Sequence, residues 1–261
     1  MHGHDAVRLP PELAHGDADP FGHVTSFRSI NNVNCRSERS VIIVNVSTGT
    51  AGDRVALVNL SAERVVAEAL SLVNEGGLES LTMRRLADRL NAHLPTIYRL
   101  VDGKDALMDE MAEAILANAL STFPPDDADW TAQVKGLAAG LRSALLAQRD
   151  GARIVGGNYA AKRANLTYTD TLVGCMQAIG LAGEYALWAS GAVFCFVLGE
   201  VLEQQGASGG ELENLEGVLH AGNYPHLASS PVEHLLDFDA RFEFGLNLLI
   251  SGIRSGLDSP A

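Results

Sequence analysis

The sequence predicts an all-α fold for the part of the chain that follows residue 59. Apolar residues in this part recur every three or four positions, which places them on one face of successive helices. Glycine pairs, a proline pair and Asp-Gly steps separate these segments and end the helices. No strand pattern competes with the helical one there. With 261 residues, 47% of them hydrophobic, the chain can bury the core of one large domain or two.

Residues 1–59 differ from the rest because they show no helical period and contain Pro-Pro with scattered Gly and His. We expect them to be mostly disordered, with one short strand as an option in the apolar segment 41–46. Arg28, Arg36 and Arg39 could lie in a DNA minor groove. The alternative is a dispensable extension or a misplaced start codon.

Residues 81–101 are typical of two short helices joined by a tight turn. Thr82 can cap the first helix, and Pro95 suits the first position of the second, where no N–H is needed. Leu86 and Leu90 give the first helix an inward face. This arrangement, with polar and basic residues at the second N-terminus, is how a helix-turn-helix protein enters the major groove of DNA.

The charge distribution favours one specific DNA contact. The formal net charge of the chain is −13, which disfavours a general nucleic-acid coat. Residues 82–104 nevertheless hold five basic and two acidic residues, a net charge of +3. A basic face on an acidic protein suits one operator contact with little non-specific affinity.

The remaining helices follow in order. A helix starts at Ser61 and stops at Gly76-Gly77, and another spans about 104–121 before the acidic, proline-containing linker at 124–129. Further helices are predicted at 130–148, about 162–179, 183–205 and after Pro231, with a long loop at 206–230. The last helix carries a long apolar stripe: Phe238, Phe242, Leu246, Leu249, Ile253 and Leu257.

Several classes of protein are disfavoured. No apolar run approaches the roughly 20 residues that span a membrane, and no signal peptide is evident, so we expect a cytoplasmic protein with no membrane partner. Cys35, Cys175 and Cys195 have no metal-ligand spacing and fit reduced thiols. The eight histidines lie near no predicted nucleophile or carboxylate pair, so we expect no enzyme and no cofactor.

The chain resembles the tetracycline repressor (TetR) family of transcriptional regulators over residues 60–257. The first half shares with the family Gly77, Leu81, Thr82, Arg84, Leu86, Ala87, Pro95, Thr96, Tyr98, Lys104 and Leu107. The second half shares Trp130, the run ALLAQRDGA at 144–152, Leu198-Gly199, residues 201–205 and the segment FGLNLLISG at 244–252.

Composition predicts a mostly disordered extension at 1–59, and the resemblance implies a three-helix helix-turn-helix domain at 60–122 and a ligand-binding and dimerisation domain at 123–261. It also implies a homodimer whose last two long helices form a four-helix bundle, with two reading heads on a palindromic operator. Small residues in those helices would allow close approach: Ala189, Ser190, Gly191, Ala192, Gly199, Gly245 and Gly252. The alternative is that both helices fill a monomer core.

The resemblance also implies the DNA contacts. Arg84 stands at the family's base-reading arginine and could hold a guanine edge with two hydrogen bonds. Leu94 departs from the base-reading glutamine of the tetracycline repressors and suggests a thymine methyl contact. The full expected set is Thr82, Arg84, Arg85, Leu94, Pro95, Thr96, Tyr98, Arg99 and Lys104. For Arg89 we favour a solvated helix face.

The effector positions of the tetracycline repressors map onto mostly apolar residues. Val155 replaces the metal-chelating histidine, and Glu203 alone keeps its type, so we expect no metal and no magnesium–tetracycline site. The expected ligand-binding residues are Leu120, Leu137, Leu141, Val155, Asn158, Thr171, Trp188, Phe194 and Glu203. They predict a largely apolar small-molecule effector, unless these leucines are plain core.

The sequence therefore predicts a ligand-responsive dimeric repressor that binds double-stranded DNA and controls an efflux or biosynthesis gene. The alternatives are a transcriptional activator and a ligand-independent DNA-binding protein.

Overall fold

The computed structural model describes residues 40–44, 57–121, 129–210, 214–215, 217–219 and 222–257, with the backbone alone at 40–44, 57–59 and 257. The expectations for the arginines at 28, 36 and 39, for Cys35, for His220 and for the prolines of the linker lie outside these residues.

A two-stranded antiparallel ribbon precedes the first helix. Strand β1 (Ser40–Val44) pairs with strand β2 (Leu57–Ser61) in a register that joins Val41 to Leu60. The first strand lies in the apolar segment that the sequence offered as a strand. The second was not predicted, because its five residues lead directly into a helix and show no long alternation. Leu60 is fully buried and belongs to the helical core.

Four helices and a 3-10 turn build the N-terminal part. They are α1 (Ala62–Gly76), the 3-10 turn Leu78–Ser80, α2 (Met83–Arg89), α3 (Leu94–Leu100) and α4 (Gly103–Leu120). The Thr82 hydroxyl caps α2 by accepting the Arg85 N–H at 3.1 Å, as predicted. Helix α3 begins at Leu94, so Pro95 is its second residue rather than its first.

The regular structure of the C-terminal part is all helical in its described residues. It contains α5 (Trp130–Leu146), α6 (Gly151–Val155), α7 (Arg163–Ala178), α8 (Glu184–Gly206), α9 (Pro225–Ala228), the 3-10 turn Val232–Leu236 and α10 (Phe238–Leu257). Helix α4 packs against α5, α6 and α7, while α8 packs against α5, α7 and α10. The predicted all-α class is confirmed, with the ribbon as an addition.

Helix α8 corrects one expectation about apolar runs. Its 23 residues have a mean hydropathy of 1.7 in an 18-residue window, enough by length and composition to cross a membrane. The expectation that no run approaches that length was wrong, because Glu200 is the one charged residue between Tyr185 and Leu202. Only 28% of the window is buried within the chain, so much of this apolar helix faces outward.

Helix α10 divides its apolar residues between two faces. Phe242, Leu246 and Ile250 are buried in the chain's own core, so part of the predicted stripe is core of a single chain. Phe244 and Leu248 point outward and are 68% and 57% exposed. The outward faces of α8 and α10 thus both carry apolar side chains without cover from this chain.

Candidate functional site

The predicted DNA-contacting residues lie on α2, α3 and the start of α4. Eight of the nine side chains are exposed: Thr82, Arg84, Arg85, Leu94, Pro95, Tyr98, Arg99 and Lys104. Two of them are large apolar or aromatic side chains: Leu94 is 36% and Tyr98 44% exposed. Exposed basic, hydroxyl and apolar groups together match the chemistry of phosphates and base edges.

Thr96 is the exception, because it is only 7% exposed. Its hydroxyl oxygen accepts a hydrogen bond from the Arg99 guanidinium at 3.2 Å. The pair therefore fixes the Arg99 side chain along α3, and Thr96 itself has little surface to offer a ligand.

Arg89 links two helices of the N-terminal part at residues 60–120, which we call the head. Its guanidinium pairs with Glu68 at 2.8 Å and with Glu75, both on α1. The hydrogen bond from Arg89 lowers the pKa of the Glu75 carboxyl below its usual value. The Arg89 side chain is 41% exposed, as expected for a solvated helix face, and its ion pairs there link α2 to α1.

The turn between α5 and α6 docks onto the N-terminal head. Asp150 accepts the Leu78 N–H at 2.8 Å, although 72 residues separate them in sequence. The Arg149 N–H binds the Asn74 side chain at 2.8 Å, and the Gln148 amide donates to the Leu70 carbonyl at 3.1 Å. We call residues 148–150 the docking turn.

The docking turn has a strained and crowded backbone. Asp150 has φ 58°, a left-handed conformation that a non-glycine residue adopts at a cost. A Cβ on Gly151 would overlap the carbonyl oxygen of Leu145, so only glycine fits there. Gln205 of α8 clasps the same turn, because its amide donates to Leu145 and Gln148 carbonyls at 2.9 and 2.8 Å. Its side-chain oxygen accepts the Ala152 N–H at 3.2 Å.

The segment between α6 and α7 is fastened to α4. Lys162 pairs with Glu110 at 2.7 Å, and this hydrogen bond raises the pKa of the lysine. Glu113 accepts the Ala164 N–H at 2.6 Å and so caps α7 from another helix. Asn158 donates to Asp109 at 3.2 Å, and its oxygen accepts the Ala160 N–H. The amide that the sequence offered to an effector therefore already has partners.

The predicted ligand-binding residues do not all converge in the structure. Leu137, Leu141 and Val155 are buried, while Leu120, Asn158, Thr171 and Phe194 are partly buried. Trp188 is 63% exposed and Glu203 is exposed. The Thr171 hydroxyl donates to the Thr167 carbonyl at 2.7 Å within α7.

Sequence reasoning missed Tyr168, which stands among the buried positions. Its ring lies 5.8 Å from that of Phe194 in an edge-on arrangement, and its hydroxyl donates to the Leu137 carbonyl at 3.0 Å. Burial raises the pKa of this phenol. Its spacing within α7 is that of an ordinary core residue, so no sequence signal separated it from the neighbouring apolar positions.

Two surface hollows contain none of the predicted ligand-binding residues. One, of about 470 Å³, is lined by Ala139, Arg142, Ser143, Leu146, Ala147 and Phe242. The other, of about 250 Å³, lies beside Pro231 and Arg241. In the described part of the chain, no three His, Cys, Asp or Glu side chains are grouped to hold a metal ion.

Known proteins match this chain at both ends of the described structure. Residues 65–111 match the family model "Bacterial regulatory proteins, tetR family", and residues 123–257 match the model "Tetracyclin repressor-like, C-terminal domain". The tetracycline repressor protein class C of Escherichia coli is 38% identical over 74% of this chain and 90% of its own length.

Solved structures agree. A possible TetR family transcriptional regulator from Streptomyces coelicolor A3(2) has a TM-score of 0.68 at 39% identity, covering 75% of this chain and 99% of that one. The S. coelicolor TetR family protein ActR, in complex with actinorhodin, has a TM-score of 0.64 at 28% identity, covering 77% and 99%. From the helix-turn-helix surface, the docked helical domain and these matches, we conclude that the chain belongs to the tetracycline repressor family of transcriptional regulators.

Proposed function

We propose that this protein is a homodimeric transcriptional repressor that binds a palindromic operator in the cytoplasm and leaves it when a small, largely apolar molecule binds. The observation that carries the proposal is the exposed set of basic and hydroxyl side chains on α2, α3 and the start of α4. The E. coli relative is named a repressor, which supports repression rather than activation as the effect on transcription. An efflux or biosynthesis gene is the proposed target.

The proposed operator contacts divide by chemistry. Arg84 reads a guanine edge, and Leu94 packs against a thymine methyl. Tyr98 and Lys104 bind phosphates and set the register on the duplex. The Thr82 oxygen accepts the Arg85 N–H, but its hydroxyl proton is still available to a phosphate. Thr96, being buried, contributes through Arg99 rather than directly.

DNase footprinting on the protein's own promoter region tests the function. We expect two protected half-sites about one helical turn apart, and lower promoter output in cells that hold the protein than in cells that lack it. Protection accompanied by higher promoter output would identify an activator and overturn the repressor assignment.

A second copy of the chain is the proposed cover for the outward faces of α8 and α10. Phe244, Leu248 and Leu202 are exposed there, and Gly191, Gly199 and Gly252 face open space, which allows close helix contact. Gly245 differs from these glycines, because a Cβ there would meet the Phe196 ring of the same chain.

The double variant Phe244→Asp, Leu248→Asp is expected to convert the dimer to monomers, because it would bury four carboxylates in one apolar interface. Light scattering after size exclusion measures the mass. Leu166→Asp is the control, since Leu166 is 56% exposed on α7 and outside that surface. A dimeric double variant would contradict the proposed interface.

We propose that the docking turn transmits the structural change caused by effector binding to the DNA-binding helices. Helix α6 follows the turn directly and packs against α4, α5 and α8, so a ligand near Val155 moves the turn and the head together. The turn holds the head through Asp150, Arg149 and Gln148. A ligand shifts operator affinity only by its different affinity for the two arrangements.

Asp150→Ala is expected to speed hydrogen exchange of the Leu78 amide by about tenfold or more, because a hydrogen bond to a charged acceptor is lost. Asp150→Asn should keep most of the protection, since an amide oxygen can accept the same bond and asparagine tolerates a left-handed backbone. Hydrogen exchange of the Leu78 amide, measured by NMR in both variants, tests this hydrogen bond. Unchanged exchange in Asp150→Ala would contradict the docking contact.

A further inference from the structure

The larger surface hollow, of about 470 Å³, lies between α5 and α10 and away from the positions predicted to bind the effector. One face of the second half of α5 and one aromatic ring of α10 form its walls: Ala139, Arg142, Ser143, Leu146, Ala147 and Phe242. Four of these six side chains are apolar, and Arg142 alone is charged. Small-molecule sites have this size and this mixture of apolar walls with a few polar groups.

The Arg142 guanidinium is held in place but is not fully paired. Its Cζ lies 4.9 Å from the centre of the Phe242 ring, and the side chain is 16% exposed. Its Nη2 donates to Gln204 Oε1 at 2.8 Å and to Asp239 Oδ1 at 2.7 Å. Its Nε is buried and has no hydrogen-bond partner among the described residues. A buried donor without a partner is costly, so a group that accepts this N–H would be favoured.

The charges around Arg142 leave room for one exchangeable anion. Arg241 pairs with Glu200 at 3.1 Å and balances the charge of this carboxylate, which is 16% exposed and does not line the hollow. Glu200 Oε2 is the other buried atom without a partner in the described part of the chain. Asp239, in contrast, is 85% exposed and can turn into solvent at little cost. Without Asp239, two arginines face one glutamate, so one negative charge is missing.

We propose that this hollow binds a small aromatic carboxylate, whose oxygens accept hydrogen bonds from Nε and Nη2 of Arg142 in place of Asp239. Asp239 accepts from Nη2 alone, whereas a carboxylate on the same edge of the guanidinium can accept from both nitrogens. The aromatic body of the ligand lies against the apolar walls beside Phe242. The site is separate from the predicted effector positions and does not depend on the proposed repressor function.

Isothermal titration calorimetry of the full-length protein with two probes tests the site. 2-Naphthoate carries the carboxylate, and 2-naphthamide has the same shape without the charge. Naphthoate should bind about tenfold more tightly or better, because a bidentate bond between two charged groups is stronger than a bond to a neutral amide. Equal affinities of the two probes, or no binding of naphthoate, would overturn the inference.

Arg142→Lys should weaken naphthoate binding by about tenfold or more. Lysine keeps the positive charge but lacks the planar edge that offers two parallel donors. Circular dichroism and Tm report whether this variant keeps its fold. Unchanged naphthoate affinity in a folded Arg142→Lys variant would overturn the inference.

Asp239→Asn should instead tighten naphthoate binding about two- to fivefold, because it removes the carboxylate that competes for Arg142 and that contributes little as an exposed ion pair. Asp170→Asn is the control, since it removes the same charge from an exposed position on α7. If Asp239→Asn bound naphthoate no more tightly than Asp170→Asn, the proposed exchange of carboxylates would be wrong. This comparison decides alone if Arg142→Lys does not fold.

Discussion

Arg84→Ala is expected to weaken operator binding by about 5- to 150-fold, because a bidentate arginine–guanine contact contributes about 1–3 kcal/mol of discrimination. Arg84 is exposed on the first turn of α2, and the α2 cap is made by Thr82 instead. The substitution should therefore leave the thermal stability and the dimer nearly unchanged. Fluorescence anisotropy with a labelled operator measures the affinity.

Arg163→Ala is the matched control, because it removes the same charge from an exposed position at the start of α7. It should lower affinity little at physiological salt, where charges far from the duplex are screened. If both variants lost the same operator affinity, the effect of Arg84→Ala would be explained by the change in net charge alone. Unchanged affinity of Arg84→Ala would reject its assignment as a base contact.

Gly151→Ala is expected to destabilise the protein by about 1–3 kcal/mol, because the added methyl group overlaps the Leu145 carbonyl oxygen. For a chain of this size that corresponds to a fall in Tm of about 3–10 °C. The clash lies where α5 ends, where Gln205 clasps the turn and where Asp150 holds the head. Operator affinity should fall with stability, because the docking turn must move to make room.

Gly174→Ala, in contrast, is expected to raise the stability of the protein. Gly174 lies in the interior of α7, is exposed, and a Cβ there meets no atom within 4 Å. Alanine should stabilise the helix by up to about 1 kcal/mol relative to glycine. Differential scanning fluorimetry compares the two variants. If both substitutions moved Tm in the same direction, the close approach at Gly151 would not be what requires glycine.

Local chemistry made the DNA-binding head predictable. The Thr82 cap, the turn around Asn91 and the inward positions of Leu86 and Leu90 depend on neighbours within a few residues. The expected DNA contacts in this segment were carried over from its resemblance to the family and stay a prediction. Thr96 was the exception in exposure, since its burial depends on how α3 packs rather than on its own sequence context.

The contacts between residues far apart in the chain could not be predicted from the sequence. The bond between Asp150 and Leu78 joins residues 72 positions apart, and Gln205 reaches Leu145 from another helix. From the sequence, residues 149–151 were predicted only to interrupt the helix, and the run around them resembled the family. No periodicity distinguishes a residue that docks one domain on another from a solvated turn residue.

In the C-terminal helices, the sequence also could not predict which apolar residues are buried. Apolar spacing found α8 and α10 but did not say which apolar side chains fill the chain's own core. Phe242 is buried while Phe244, two positions later, is exposed, and only the packed structure separates them. The same ambiguity hid Tyr168 among the core positions of α7.

That two identical chains hold one operator is tested most directly by native mass spectrometry. The full-length protein is mixed with a palindromic duplex that the protein itself has selected from a random library. We expect a complex of two chains and one duplex, and loss of that complex for the double variant Phe244→Asp, Leu248→Asp. A complex of one chain with one duplex, or no duplex retained at all, would contradict a dimeric operator-binding repressor.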